Sequence, residues 1–471
     1  MGNGGMTRRG FLAAASAGTA VAGVSAAIPS GAVSAGSDRG GFQYTRRLRA
    51  EHDVDVFIAG GGPSGVAAAL AAKRCGASVF LAEASGMFGG AATAAYVPYF
   101  ATFTDGVRQV VGGIGDEIRS LVCKRSPKTT RWTPIDMEEL KRAYDGLMES
   151  SGVEFSFFTS VCDVVSRGDR VQYAVLATKR GLACVRAKVF VDCTGDGDLV
   201  AYAGGKYEKG DVDGSLMPAT LCSQWCDVDF AHSEHPQGAV AKAIEDGVFS
   251  VPDPHIAGFG ATGGPGASLA GGNLCHVFGV DPTDERALTK AMIQGRRRMT
   301  EYERFLREYV KGCQKARLAS TAPYLGVRES RRIVCERTMT IDDFERRAVF
   351  EDEIGRYCYP VDLHAAKPDK ESFEKFKEEY VRRYRYAKGE SYGISYASLV
   401  PKGLVNALVA GRCIGADRRM QSSLRVMPCC YITGQAAGTA AAMAAKLGGA
   451  VRDVKTSELR ARLAADGAYL G

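Results

Sequence analysis

Apolar positions in this chain gather into a few dense blocks broken by glycine, and the blocks predict the elements. Residues 54–59, Val-Asp-Val-Phe-Ile-Ala, form a short run of strand type. They lead directly into Gly60-Gly61-Gly62-Pro63-Ser64-Gly65 and an Ala/Leu-rich segment, Val66 to Cys75, that predicts a helix. Residues 77–82 predict a second strand ending at Glu83. Helical patterns follow at 114–124 and 136–150, and 153–191 alternate as antiparallel strands do, closing on the apolar run 187–192. Another apolar run, 404–410, precedes Gly411. The Ala-rich stretch 429–447 predicts a helix with Pro428 in its first turn, where a missing N–H costs nothing. Between about 204 and 395 the pattern becomes more polar, with helices expected at 283–311 and 370–386.

The block from 54 to 83 has the strand–turn–helix–strand order of a nucleotide site. Gly60 permits the tight turn, Gly62 lets the backbone approach a pyrophosphate, and Gly65 lets helix and strand pack closely. Pro63 and Ser64 open the helix whose N-terminus faces the anion. Glu83, 18 residues beyond Gly65, is placed to accept hydrogen bonds from ribose hydroxyls and would repel a 2′-phosphate, which disfavours NADP. The segment 260–272 is also glycine-rich but has no predicted strand before it or helix after it, so it is expected to be a flexible loop. Without a second nucleotide unit, a stably docked NAD(P)H domain is not expected.

Charge and composition narrow the partners. The 60 Lys and Arg against 53 Asp and Glu give +7, spread without a long basic run, so nucleic acid is not expected as a partner. The N-terminus reads Thr7-Arg8-Arg9-Gly10-Phe11-Leu12, then a weakly apolar Ala/Gly run, with small residues at Val33-Ser34-Ala35 or Val24-Ser25-Ala26 for cleavage. That pattern predicts a twin-arginine signal over residues 1–35 and export, to the periplasm or outside the cell, of a protein already folded around a cofactor. The run is diluted by Gly, Ser and Thr, and no other stretch approaches the length of a membrane span, so no stable membrane insertion is expected. Fourteen cysteines contain no C-x-x-C pair, which argues against iron–sulfur or structural zinc sites and for core packing, with one or two disulfides open.

Three further segments carry a resemblance. Gly86-Met87-Phe88-Gly89-Gly90-Ala91-Ala92-Thr93 resembles the stretch after the ribose-binding acid in glutathione-reductase-like flavoproteins. Cys193-Thr194-Gly195-Asp196-Gly197-Asp198 resembles their Thr-Gly-Asp turn, and Gly411-Arg412-Cys413-Ile414-Gly415-Ala416-Asp417 the late segment whose acid holds the ribityl chain. With the segments 326–332 and 423–428, residues 53–450 resemble FAD-dependent oxidoreductases related to the flavin part of heterodisulfide reductase, without the iron–sulfur cysteines of that enzyme. The resemblance implies an α/β fold: a glutathione-reductase-like FAD-binding Rossmann domain from 53–203 and 396–450, and an inserted α+β substrate domain at 204–395. It implies FAD held by Gly60, Gly62, Pro63, Ser64, Gly65, Glu83, Gly89, Gly90, Thr93, Thr194, Gly195, Asp196, Gly411, Arg412, Asp417 and Arg425. The terminal helix would aim its positive end at the flavin pyrimidine ring.

The protein must orient a substrate and move a proton while flavin N5 exchanges hydride. Candidates for proton transfer are His276, and His364 with Tyr359 nearby. Arg328, Arg331 and Arg332 form either a carboxylate-binding cluster or internal ion pairs with Glu329 and Glu336. Cys429 and Cys430 are either thiols activated at a helix start or packing residues. No metal is expected, since His232, His235 and His255 lie in polar loop-like stretches without a supporting pattern. The expected function is an exported FAD-dependent oxidase or dehydrogenase acting on an external small molecule, its acceptor being oxygen, a quinone or a protein. A fumarate-reductase-like reductase of an unsaturated acid and a non-catalytic flavin-binding protein are the alternatives.

Overall fold

The computed structural model describes residues 32–34, 43–123, 132–262 and 267–471, so Arg8 and Arg9 of the export signal lie outside the described residues. Met1–Leu48 and Arg49–Gly471 are separate compact units. In the first, Ala32–Ser34 pairs antiparallel with Gln43–Thr45.

In the second unit, the strand predicted at 54–59 extends back to Ala50–Ala59 and lies parallel between Val79–Ala82 and Gly181–Asp192. Phe57, Ile58 and Ala59 are fully buried, as strands covered on both faces require. The long strand Gly181–Asp192 serves two neighbours on its other side. Its first half pairs antiparallel with Arg170–Thr178, and its last residues pair parallel with Ala407–Val409. Ser160–Arg167 completes the antiparallel meander. The reading of 153–191 as uniformly antiparallel needs one correction: Glu154–Ser156 is a parallel partner of Val79–Ala82. It follows the helix Met137–Ser151, and a strand–helix–strand connection returns in the same direction.

Two helices without a polar face make one layer. Pro63–Arg74 is buried from Pro63 to Ala72, and Met427–Lys446 along nearly its whole length. Small residues allow their backbones to approach: a Cβ on Gly434 would stand 2.2 Å from the Ser64 carbonyl oxygen, and one on Gly438 2.1 Å from that of Ala68.

A second hydrophobic core lies between Ala219 and Val327. It is an antiparallel sheet ordered Gly258–Ala261, Ala270–Val277, Ala219–Cys226, Arg317–Thr321, covered by the amphipathic helix Glu285–Tyr309. Strands therefore flank the glycine-rich segment read as a flexible loop; Phe259 and Leu274 anchor the hairpin in the core. Ile333, Tyr357, Val361, Tyr392 and Leu399 pack instead into the first core, so the apolar residues of 204–395 are divided between the two. The helix expected at 370–386 is Lys370–Lys377, capped by Asp369 and continued by one wider turn, Glu378–Arg383. Among the described residues, no helix is long and apolar enough to cross a membrane.

Candidate functional site

The turn after the first strand is closed by backbone contacts that exclude side chains. Gly60 has φ +96°, and a Cβ there would lie 2.6 Å from the Cys193 carbonyl oxygen. A Cβ on Gly65 would lie 1.8 Å from the Gly60 oxygen. Gly62 differs, because a Cβ there meets nothing within 4 Å. Open space thus lies at the capping residue of the helix, where unpaired backbone N–H groups suit a pyrophosphate. The second glycine segment abuts this loop: Gly89 donates its N–H to the Gly61 carbonyl (2.9 Å), and a Cβ on Gly90 would lie 3.3 Å from the Gly62 Cα. The Glu83 carboxylate accepts the N–H groups of Gly61 (2.6 Å) and Ser85 (2.7 Å), fixing the acid at the rim of the loop.

Several predicted residues shape this cradle from within. The Thr93 hydroxyl donates to the Phe88 carbonyl. Thr194 donates its hydroxyl (2.7 Å) and N–H (3.1 Å) to Asp192, which also accepts the Val200 N–H (3.0 Å). Burial pushes the Asp192 carboxyl up to about 6. Arg412 pairs with Asp196 at 2.6 Å beside Gly195. Gly411 (φ +85°) comes so close to the first helix that a Cβ would lie 2.8 Å from Ser64 Oγ and 3.9 Å from Cys430 Sγ. Asp417 caps the helix Arg418–Leu424, its oxygens accepting the N–H groups of Met420 and Ile341, both at 2.7 Å.

A buried polar cluster adjoins the terminal helix. Arg425, just ahead of that helix, donates to the Asp362 carboxylate and carbonyl, both at 3.0 Å, and accepts the Cys430 thiol proton at its own carbonyl (3.3 Å). Asp362 also meets His364 Nε2 and the Tyr359 hydroxyl, each at 3.3 Å. Asp253 accepts from His276 Nδ1 at 2.8 Å. The Arg328 guanidinium reaches His276 Nε2 and Asn273 Oδ1, each at 3.3 Å, and the Pro218 carbonyl at 3.0 Å. The rings of His255, His276 and His364 lie 4.8–5.3 Å apart, with Phe373 and Phe376 against His255.

Burial dominates the electrostatics of this cluster. It lowers His364, beside Arg328, to about 3, and it lowers His255 and His276 as well, so all three imidazoles are neutral near pH 7. Burial together with Arg425 brings Arg328 down to about 10. Burial alone would raise Asp362, but His364, Arg425 and Arg328 hold it below the usual carboxylate range.

Five residues singled out from the sequence, His276, Arg328, Tyr359, His364 and Arg425, therefore meet in one place. Arg332 does not join them. It pairs with Glu329 (3.0 Å) and the Gly210 carbonyl (3.1 Å), while Arg331 pairs with Asp198 (2.7 Å) and lies over the Tyr207 ring. Of the arginine cluster, only Arg328 faces the histidines, because Arg331 and Arg332 lie in the strand Arg331–Ile333 and are held by Asp198 and Glu329. Glu336 pairs elsewhere, with Arg452. His232 is exposed and pairs with Asp229, and His235 caps a short turn, so neither joins His255. Among the described residues, no disulfide joins any of the cysteines. Burial pushes Cys429 and Cys430 up, the latter to about 12, which favours packing over activation at the helix start. Asp253 and Asp362 escaped the reading by residue type, and His255 reads as a residue of a polar loop, although Asp253-Pro254-His255 and Asp362-Leu363-His364 repeat one Asp-x-His spacing.

A parallel sheet, a glycine turn against a helix N-terminus and an acid at the next strand end define a Rossmann-type dinucleotide-binding protein. The model of the FAD dependent oxidoreductase family matches residues 55–463. The chain belongs to that family and is an FAD-dependent oxidoreductase. A search of curated proteins gives no match. Among solved structures, a geranylgeranyl bacteriochlorophyll reductase-like protein from Thermoplasma acidophilum is similar at 11% identity and TM-score 0.41, covering 88% of this chain and 83% of that one. A triple mutant of the flavin-dependent brominase Bmp2 is similar at 12% identity and TM-score 0.37, covering 88% and 84%. THI4 from Thermovibrio ammonificans is similar at 24% identity and TM-score 0.27 over 33% of this chain and 64% of that one.

Proposed function

We propose that this chain is an exported FAD-dependent dehydrogenase or oxidase of a small anionic molecule, with the polar cluster behind Arg425 as its substrate pocket. Flavin N5 supplies the hydride exchange when FAD is bound. The carrying observation is that Arg328, Arg425, His276 and His364, from four separate segments, converge in a buried cluster joined through Cys430 and Gly411 to the dinucleotide loop. Two guanidiniums in one pocket suit a carboxylate. The proton that leaves a substrate hydroxyl has neutral imidazoles, Asp253 and Asp362 at hand as acceptors. The paired arginines also favour a second reading, reduction of an unsaturated acid.

The glutathione-reductase-like arrangement, with 53–203 and 396–450 around a substrate domain at 204–395, belongs to this proposal. The second core at 219–327 supports a distinct domain within that insertion. So does twin-arginine export belong to it, supported by Thr7-Arg8-Arg9-Gly10-Phe11-Leu12. The electron acceptor in this reading is oxygen, a quinone or a partner protein.

An anaerobic screen of hydroxy acids for bleaching of the oxidised flavin tests the first direction, and reoxidation of the photoreduced protein by unsaturated acids tests the second. Flavin that answers neither set, in protein that retains FAD, would overturn the anionic-substrate reading. For export, Arg8→Lys with Arg9→Lys should leave flavin-loaded protein in the cytoplasm; unchanged secretion would reject the signal.

A further inference from the structure

The histidine cluster has features that a substrate pocket does not require. One ligating nitrogen from each of His255, His276 and His364 lies within 4.8 Å of the other two. His276 carries Asp253 on Nδ1 and the Arg328 guanidinium 3.3 Å from Nε2, and His364 carries Asp362 on Nε2, leaving His364 Nδ1 for another partner. His364 Nδ1 is buried and has no hydrogen-bond partner, an orphan acceptor in a ring that is only 6% exposed. A carboxylate on the far nitrogen of a histidine is the arrangement that orients imidazoles toward metals and strengthens them as donors.

We infer that His255, His276 and His364 form a site for one divalent transition-metal ion of the zinc type, with Asp253 and Asp362 orienting two of the three ligands. Imidazole nitrogens suit zinc, copper, iron and nickel, and they are poor ligands for magnesium or calcium. Three nitrogens bound to zinc at about 2.0–2.1 Å stand about 3.4 Å apart, so closure from 4.8 Å moves each ring by about 0.8 Å at most. His255 is partly exposed, which supplies a route of entry. The two carboxylates face the charge of the ion. Arg328 opposes it, and loading would release the Arg328 N–H from His276 Nε2 to Asn273 Oδ1, already 3.3 Å away. A three-histidine set leaves the fourth position open to water or a substrate oxygen. This use of the ion rests on the substrate-pocket reading, whereas its binding does not.

The test takes the full-length flavin-loaded protein, strips it with a chelator, dialyses it against Zn²⁺ and counts zinc per flavin by mass spectrometry. One zinc per flavin is expected in the parent protein. His255→Gln and His364→Gln should retain FAD and lose the zinc, and Asp253→Asn should weaken binding about 10- to 100-fold. No retained zinc in the parent, or equal zinc in both histidine variants, would overturn the site, the latter by placing the ion on cysteines. If a variant loses its flavin, zinc-edge X-ray absorption of the parent decides: a shell of nitrogen and oxygen supports the site, and sulfur ligands overturn it. The zinc count uses no substrate, so its failure would overturn the metal site and leave the proposed function standing, whereas hydroxy acids that fail to bleach the flavin would leave the zinc site standing.

Discussion

Around residues 60–65 the working surface is backbone, and around His276 it is side chain. In the loop, contact specificity comes from atoms every residue possesses, so the requirement falls on the absence of a Cβ at Gly60 and Gly65. In the cluster, it comes from imidazole, guanidinium and carboxylate groups carried by strands, loops and a helix start far apart in sequence. The loop is therefore intolerant of added volume. The cluster tolerates volume-conserving change yet is sensitive to lost donors and charges, because a buried charge without its partner costs far more than a lost methylene.

Substitutions that pit one rule against the other break this contrast most directly. Gly65→Ala, whose Cβ would sit 1.8 Å from a carbonyl oxygen, should produce the largest effect. Backbone cannot yield as a side chain does, so a stability loss of about 3 kcal/mol or more is expected in chemical denaturation, with little flavin-loaded protein recovered. A normal melting curve would show that the helix shifts freely on the strand.

The next effect belongs to Asp192, where the two principles mix. Its folded pKa, about 6, lies above the unfolded value near 3.9, so the native state holds the extra proton between them. Stability from this group is complete below about pH 4 and is lost as pH rises through about 6, by about 3 kcal/mol. Asp192→Asn should flatten that segment of the stability–pH curve, and an unchanged slope would remove Asp192 as its source.

Arg328→Lys against Arg332→Lys sharpens the contrast within one segment. The first should keep flavin while kcat/KM falls by the equivalent of about 1.5–3 kcal/mol, the worth of a hydrogen bond to a charged group, with the melting temperature falling too because the lysine cannot reach all the buried acceptors of Arg328. The second should lower stability through Glu329 and leave kcat/KM unchanged. If both behaved alike, the division between pocket and framework would fail.

Gly62→Ala should have the smallest effect on stability, within about 0.5 kcal/mol, because its Cβ meets no atom. The same methyl occupies the space before the helix N-terminus, so FAD retention measured by gel filtration should fall. Full retention would move the pyrophosphate away from this loop.

The glycine spacing, the flanking apolar runs and Glu83 made the dinucleotide unit legible from residues alone, because that unit is local: some thirty consecutive residues contain the whole strand–turn–helix–strand geometry. The terminal Ala-rich helix was legible for the same reason, its burial following from the lack of any polar face. Individual catalytic candidates could be named by residue type, but not assembled. That Arg328 turns toward His276 while Arg332 turns toward Glu329, or that His255 comes to His364 across more than a hundred residues, depends on strand direction and on which faces pack. The parallel return of Glu154–Ser156 and the division of 204–395 between two cores have the same origin. Periodicity reports which positions are buried, whereas the partners of a buried charge are set by long-range packing, and no local pattern encodes them.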